Sequence, residues 1–157
     1  MLIVLFACFL LVLATTVLHY EVLRGLNASL PSLDIPSRAK LVVVILASFL
    51  AHAAEMAMYG AALYILVALV GIGSLSGVAE FSLETCMYFS AETYTSLGFG
   101  DLAPNGPIRL LAGVEALNGL LLIGWSASFT YLSMERFWNA RPGSPSTENA
   151  GKRQPPA

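Results

Sequence analysis

The sequence predicts an all-α membrane protein, because three long stretches of the chain are almost free of charge. Only 11% of its 157 residues are charged, where an ordinary soluble domain carries about 25%. Residues 1–20 carry no charge, and residues 41–79 and 110–134 carry a single glutamate each. A helix that spans a bilayer needs about 20 apolar residues, so each stretch is long enough to span. We predict spanning helices over residues 2–19, 41–70 and 107–133.

The first element is an N-terminal transmembrane helix over residues 1–20, followed by a loop over residues 21–40. This loop contains three of the eight basic residues, and basic residues favour the cytoplasmic side of a membrane. Residues 136–157, after the third span, are also basic and are rich in Pro, Gly and Ser, which is typical of a disordered tail. We therefore expect the N-terminus outside the cell and the C-terminal tail in the cytoplasm.

Composition and charge argue against several classes of function. The net charge is −2 and basic residues form no cluster, which argues against nucleic acid as a partner. The two cysteines are too few for a disulfide scaffold and are wrongly spaced for a metal site. The polar residues inside the spans lack a nucleophile and a metal-binding frame. We therefore expect neither an enzyme nor a bound cofactor.

Between the second and third spans, residues 81–104 combine a short amphipathic stretch with a glycine-rich segment, Thr95-Ser96-Leu97-Gly98-Phe99-Gly100-Asp101. The amphipathic stretch is about 14 residues long, which is too short to cross a bilayer and suits a re-entrant helix. Irregular backbone at membrane depth is tolerated only inside protein or along a water-filled path. Gly98 and Gly100 permit positive φ, so consecutive carbonyls can face one axis and replace the hydration shell of a cation.

The glycine-rich segment resembles the selectivity filter T-T-V-G-Y-G-D of prokaryotic potassium channels that have one pore loop per chain. Ser96 stands where that filter has its second threonine, and Phe99 stands where it has tyrosine. The likeness includes residues 90–93 before the segment and Pro104 after it. It implies a pore domain over residues 41–135, made of an outer helix, a re-entrant pore helix with the filter, and an inner helix.

The resemblance also implies roles for individual residues and for the assembly. Potassium, the permeant ion, would bind the filter at Ser96, Leu97, Gly98 and Phe99, with Gly100 completing the filter. The filter would be supported by Tyr88, Glu92, Thr95 and Asp101. One pore loop cannot enclose an axis, so we expect a fourfold homotetramer, in which each chain meets three further copies of itself. The lipid bilayer, as in a bacterial inner membrane, is the other expected partner.

Glu92 and Asp101 lie on either side of the glycine-rich segment, and the resemblance places both behind the filter. Two close carboxylates in a water-poor site cannot both ionise cheaply. We therefore expect the pKa of Glu92 to be raised, with Tyr88 as a further partner through its phenol. Control of filter stability and inactivation is the predicted role of Glu92, and hydrogen-bonded helix scaffolding is the alternative.

Gly119 lies in the third span at the place where the inner helix of the prokaryotic channels carries a hinge glycine. A glycine inside a helix lowers helix stability by about 1 kcal/mol relative to alanine, so a structural or functional role is expected for it. It either permits bending, as a gating hinge, or allows another element to pack closely. The sequence leaves both interpretations open.

Four further polar residues lie inside the predicted spans: His52, Glu55, Glu115 and Asn118. Such residues rarely face lipid, and a rise of about 1.5 Å per residue places the two glutamates at similar depths. We predict one buried network in which His52 and Glu55 contact Glu115 and Asn118. Proton sensing through His52 is an alternative. Metal ligation has less support because no other His or Cys is suitably spaced, and His19 is expected at the membrane edge.

Together these observations predict a potassium-selective channel that conducts its ion passively. The alternative is a non-conducting or weakly selective channel-like membrane subunit. The sequence has no arginine-rich helix, so gating by moving charges in the membrane field is not expected. Ion flux measured with potassium replaced by sodium distinguishes the two interpretations.

Overall fold

The structure is a computed structural model that describes residues 1–77 and 80–139. Its helices are α1 (Leu2–Ser29), α2 (Ser37–Tyr64), α3 (Leu83–Tyr94) and α4 (Ile108–Asn139), with a 3₁₀ turn over Leu30–Ser32 and a π-helical turn over Ile65–Leu69. Two short strands, β1 (Ser74–Ser76) and β2 (Ala103–Asn105), pair antiparallel. The part of the predicted disordered tail from residue 140 onward lies outside the described residues.

Within residues 1–77 and 80–139, three helical stretches are long and apolar enough to cross a membrane, as the sequence predicts. They comprise Leu2–Ser32, Ser37–Leu69 and Ile108–Arg136. The outer surfaces of these helices carry large apolar side chains, among them Phe9 at 66% exposure and Phe49 at 67%. Such surfaces suit contact with lipid chains, so the molecule is a membrane protein.

The first helix is longer than predicted, because the predicted loop over residues 21–40 is helical as far as Ser29. A salt bridge of 2.7 Å between Arg24 and Glu21, one turn apart on an exposed face, allows the helix to continue into a polar environment. Pro31 then stops the α-helix, because proline supplies no amide hydrogen. At the other end of the chain, α4 runs to Asn139 and so enters the predicted tail over residues 136–157.

The helix α3 has only 12 residues, a length of about 18 Å, and is too short to cross the hydrocarbon core of about 30 Å. Ser82 caps its N-terminus by accepting a hydrogen bond from the amide of Thr85 at 3.2 Å. The pairing of β1 with β2 sets Leu75 opposite Pro104. The chain before α3 is thereby joined to the chain after the glycine-rich segment.

The four helices pack so that α1 contacts α2 and α4, and α3 contacts the same two helices. Small residues let α3 approach both partners. A β-carbon at Gly60 of α2 would lie 2.8 Å from the sulfur of Met87, and one at Gly119 of α4 would lie 2.2 Å from the carbonyl oxygen of Tyr94. The first half of α3 therefore packs closely on α2 and its C-terminal end packs closely on α4, which positions the segment that follows it.

Candidate functional site

The glycine-rich segment, Thr95–Asp101, turns its amides back toward the last turn of α3. The amides of Leu97 and Gly98 donate to the carbonyl oxygen of Glu92 at 2.9 and 3.3 Å. The next amide, of Phe99, donates to the carboxylate of the same glutamate, Oε2, at 3.3 Å. Glu92 therefore orients three consecutive peptide units through its backbone and its side chain.

Alternate residues of the segment have left-handed backbone. Ser96, Gly98 and Gly100 have φ of +57°, +51° and +83°, whereas Leu97 and Phe99 do not have positive φ. Alternation of negative and positive φ allows successive amides to gather on one side of the chain. Among the residues that the structure describes, no hydrogen bond ends on a carbonyl of residues 96–100.

The left-handed backbone at Ser96 is a feature that sequence reasoning missed. The two glycines were expected at positive φ, but a serine carries a β-carbon that disfavours this region. No property of the sequence itself marks this position, because the conformation follows from the alternation along the segment. The serine continues the pattern of Gly98 and Gly100 by one further peptide unit.

The segment lies on the surface of the single chain. Leu97 and Phe99 are 61% and 66% exposed, and a β-carbon at Gly98 or Gly100 would meet no atom within 4 Å. Exposed apolar side chains in a segment with unused carbonyls are typical of a surface that meets another molecule.

Behind the segment lie Glu92, Asp101 and Tyr88. The phenol of Tyr88 donates to Asp101 Oδ2 at 3.1 Å rather than to Glu92, and its ring is parallel to that of Phe99, with centroids 6.4 Å apart. Burial raises the pKa of Glu92, the neighbouring Asp101 carboxylate raises it further, and the Phe99 amide opposes the shift. The direction is the one expected from two close carboxylates.

Thr95 contributes differently from its neighbours. Its hydroxyl donates to the carbonyl oxygen of Ala91 at 2.8 Å, one turn back in α3, which closes the end of that helix. Thr95 therefore stabilises the junction between α3 and the glycine-rich segment through a bond from its side chain to the helix.

The four polar residues of the second and third spans do not form one network, so the predicted pairing is wrong. Glu115 accepts a hydrogen bond from Ser90 of α3, and Asn118 donates to Thr15 of α1 at 2.8 Å. Glu55 bonds to His19, His52 and Tyr94. The physical reason is that α1 and α3 both pack against α2 and α4, and side chains of α1 and α3 bond to these polar residues. The prediction considered only the depth of each residue in the membrane, and it therefore paired α2 with α4.

Glu55 is fully buried and accepts from three side chains of three helices. It contacts Nδ1 of His19 at 2.8 Å and Nδ1 of His52 at 3.0 Å, and it accepts the phenol hydrogen of Tyr94. The hydroxyl of Ser126 on α4 lies 3.1 Å from Nε2 of each imidazole. All four helices therefore contribute to one polar cluster.

His19 is central to this cluster, although we expected it at the membrane edge. Its side chain is completely buried, and its ring centroid lies 5.1 Å from that of His52. One signal pointed to this placement: Thr15 and His19 are four residues apart on a helix and so share a face. Because the first span was predicted to end at residue 19, His19 was placed at the membrane edge and the face that it shares with Thr15 was not considered.

Gly119 has a packing role. The close approach of Tyr94 leaves no space for a β-carbon at this position. Of the two interpretations that the sequence left open, this observation favours close packing. Bending of α4 at Gly119 stays a prediction.

The fold and these two sites define a class: a helical membrane protein whose second and third candidate spans are joined through a short helix and an exposed glycine-rich turn. Residues 41–135 match the model of the ion channel family, over more than half of the chain. The chain therefore belongs to the ion channel family. Comparison with curated proteins and with solved structures gives no match.

Membership of this family indicates ion channel activity, and it places the chain among proteins that transport ions rather than among enzymes. The family match begins within α2 and ends within α4, so it contains the glycine-rich segment. It leaves out α1, although α1 provides His19 to the buried cluster.

Proposed function

We propose that this chain forms a potassium-selective channel, in which the backbone of Ser96–Gly100 is the selectivity filter. The observation that carries the proposal is the alternating backbone at Ser96, Gly98 and Gly100, with the amides directed back to Glu92. Such a segment offers its carbonyl oxygens to a dehydrated cation, and rings of carbonyls select potassium in channels.

The filter ions are proposed to bind at Ser96, Leu97, Gly98 and Phe99. Carbonyl oxygens replace the hydration shell of the ion, so no charged side chain is required on the path. The helix α3 points its C-terminal end toward the start of the segment, and the partial negative charge of a helix C-terminus favours a cation there. Both contributions act passively, and the ion moves down its electrochemical gradient.

The proposal requires a fourfold homotetramer, because the segment of one chain cannot surround an ion. Its support is the exposure of Leu97 and Phe99 in the single chain. In a fourfold ring each chain meets its two neighbours through two different surfaces, and such contacts would cover these side chains while leaving the carbonyls on the axis. In this arrangement α3 is a re-entrant pore helix between the outer helix α2 and the inner helix α4.

Four side chains are proposed to support the filter: Tyr88, Glu92, Thr95 and Asp101. Glu92 holds the amide of Phe99, and Tyr88 holds Asp101. With these bonds intact, the backbone keeps the carbonyls in place without a bound ion. We also propose that the N-terminus lies outside the cell and that the C-terminus lies in the cytoplasm, which follows the distribution of basic residues.

The test is reconstitution of the purified chain into lipid vesicles loaded with potassium. Release of potassium into a sodium medium, with slower release of sodium from matched vesicles, is the expected result. Cross-linking of the same sample should stop at four chains. A non-conducting subunit would assemble without releasing either ion, and a weakly selective one would release both at similar rates.

A further inference from the structure

The buried cluster of His19, His52 and Glu55, here called the histidine–glutamate cluster, has the composition of a metal site. One ligand atom from each residue lies within 4.8 Å of the other two. Both imidazoles turn Nδ1 toward the carboxylate, at 2.8 and 3.0 Å. The three side chains therefore converge on one small volume between α1 and α2.

The phenol oxygen of Tyr94 also lies 2.9 Å from Nδ1 of His52, so the hydrogens of the cluster have more than one possible arrangement. A neutral imidazole carries one N–H. If His19 and His52 both donate from Nδ1 to Glu55, both Nε2 atoms need a donor. Ser126 lies 3.1 Å from both of them but has a single hydroxyl hydrogen. In that arrangement one Nε2 lacks a donor. If His52 instead accepts the Tyr94 hydrogen at Nδ1 and donates from Nε2 to Ser126, both imidazoles are fully partnered.

A cation at the Nδ1 atoms is a further arrangement that the same contacts allow. Each imidazole then carries its hydrogen on Nε2, and the Ser126 oxygen has two lone pairs that accept both. Histidine ligands of metals nearly always donate their second N–H to such a partner. The phenol of Tyr94 meanwhile donates to the Glu55 carboxylate, as ligating carboxylates require.

We propose that the histidine–glutamate cluster binds a divalent transition metal of the Zn²⁺ type through Nδ1 of His19, Nδ1 of His52 and the carboxylate of Glu55. Two imidazoles and one carboxylate are a ligand set that zinc accepts, with a fourth position open to water or another oxygen. Zinc–nitrogen bonds of about 2.0–2.1 Å in a tetrahedron separate ligand atoms by roughly 3.3 Å. The two nitrogen–oxygen distances of 2.8 and 3.0 Å are near this value, and the three ligand atoms all lie within 4.8 Å of one another, so side-chain movements of this size complete the site.

The bound metal joins α1 to the part of the chain that matches the ion channel family. His19 comes from α1, the two other ligands come from α2, and Tyr94 connects the carboxylate to the end of α3. Metal binding therefore stabilises the contact of α1 with the pore-forming helices. This inference does not depend on which ion the channel conducts.

The test uses the full chain in detergent, purified without a polyhistidine tag because the chain itself has only two histidines. The protein is stripped with a chelator and then dialysed against Zn²⁺. We expect one Zn²⁺ per chain and a rise in the temperature of unfolding. His19→Gln and His52→Gln should each abolish stoichiometric binding, and Ser126→Ala should weaken it roughly 10- to 100-fold, as loss of a partner of a ligating histidine does.

A matched control and a spectroscopic measurement keep the result independent of variant folding. The double variant Cys8→Ala/Cys86→Ala removes the only thiols and should bind Zn²⁺ like the wild type. X-ray absorption of the zinc-loaded wild type should show nitrogen and oxygen ligands with imidazole scattering. Absence of Zn²⁺ binding by the wild type, sulfur ligation, or stoichiometric binding that persists in both histidine variants would overturn the proposal. Potassium flux from the same wild-type sample tests the channel separately.

Discussion

The glycine-rich segment and the histidine–glutamate cluster are connected through Tyr94, yet the polar groups of the two regions are bonded in different ways. Tyr94 donates its phenol hydrogen into the cluster, and the next residue, Thr95, begins the segment. Inside the cluster each polar side chain meets partners from other helices. Along the segment the amides of residues 95–99 are bonded, whereas the carbonyls of residues 96–100 accept no hydrogen bond from the described residues.

This difference indicates what each region requires from outside the chain. A buried polar group without a partner costs free energy, so the cluster is a structural element that holds four helices together. Unused carbonyls on an exposed turn are instead available to a ligand and to neighbouring chains. Substitutions in the segment should therefore remove conduction and spare stability, and substitutions in the cluster should do the reverse.

The largest effect on conduction is expected at Gly98. In Gly98→Ala, the added β-carbon meets no atom within 4 Å, but it disfavours the left-handed φ of +51° that the alternation needs. Potassium release from vesicles should fall to background while the chain still folds and assembles. The matched control is Gly25→Ala in α1, which also has open space around the β-carbon and no positive φ. A Gly98→Ala protein that keeps its preference for potassium would refute the filter assignment.

The largest effect on stability is expected at Glu55. In Glu55→Ala, two imidazoles and the phenol of Tyr94 lose their common partner. Removal of one member of a buried ionic cluster costs about 3–5 kcal/mol, measurable by denaturant unfolding in detergent. Glu115→Ala is the comparison, because it frees only Ser90, which still bonds the Met56 carbonyl at 2.7 Å, and about 1–3 kcal/mol is expected. Equal losses in the two variants would contradict a special role for the cluster.

A smaller loss of stability is expected at Gly119, where packing joins the two regions. The β-carbon of Gly119→Ala would lie 2.2 Å from the carbonyl oxygen of Tyr94, and overpacking of this kind costs about 1–3 kcal/mol. Gly113→Ala, on the same helix with nothing within 4 Å of its β-carbon, should leave the free energy of unfolding nearly unchanged. If both variants unfold alike but Gly119→Ala alone alters channel opening, the hinge interpretation is favoured over packing.

The smallest effect, confined to kinetics, is expected at Glu92. Because burial and Asp101 raise its pKa in the folded chain, protonated Glu92 supports the segment at low pH. This support is lost as the pH rises through the raised pKa and both carboxylates ionise. Current decay should therefore depend on pH in the wild type and become independent of pH in Glu92→Gln, with selectivity unchanged.

Glu84→Gln is the control for this measurement, because Glu84 lies in the exposed first turn of the same helix. It should decay like the wild type at every pH. Identical decay in the wild type and in Glu92→Gln from acidic to neutral pH would remove Glu92 from gating.

Sequence reasoning predicted the helices and the position of the segment well, because both follow from local patterns. Runs of apolar residues locate the spans, and a pair of glycines two residues apart locates the turn. The end of α1 was placed too early because a surface salt bridge continues the helix beyond the apolar run. Hydrophobicity contains no information on that extension.

The partners of the buried polar residues could not be predicted in the same way. Depth along each helix follows from the rise per residue, but the rotation of each helix about its axis and the choice of neighbours do not. The prediction assumed that the buried polar residues of α2 and α4 face only each other. Because α1 and α3 also pack against these helices, His19 bonds to Glu55 and Ser90 bonds to Glu115. Such contacts depend on tertiary packing, which no single segment specifies.

The reversal potential of the wild-type channel, measured in a planar bilayer with potassium on one side and sodium on the other, tests the central claim most directly. If the carbonyls of Ser96–Gly100 replace the hydration shell of potassium, the reversal potential should follow the potassium gradient and stay unchanged when sodium is replaced by an impermeant cation. A reversal potential near zero, or one that follows sodium, would contradict the account.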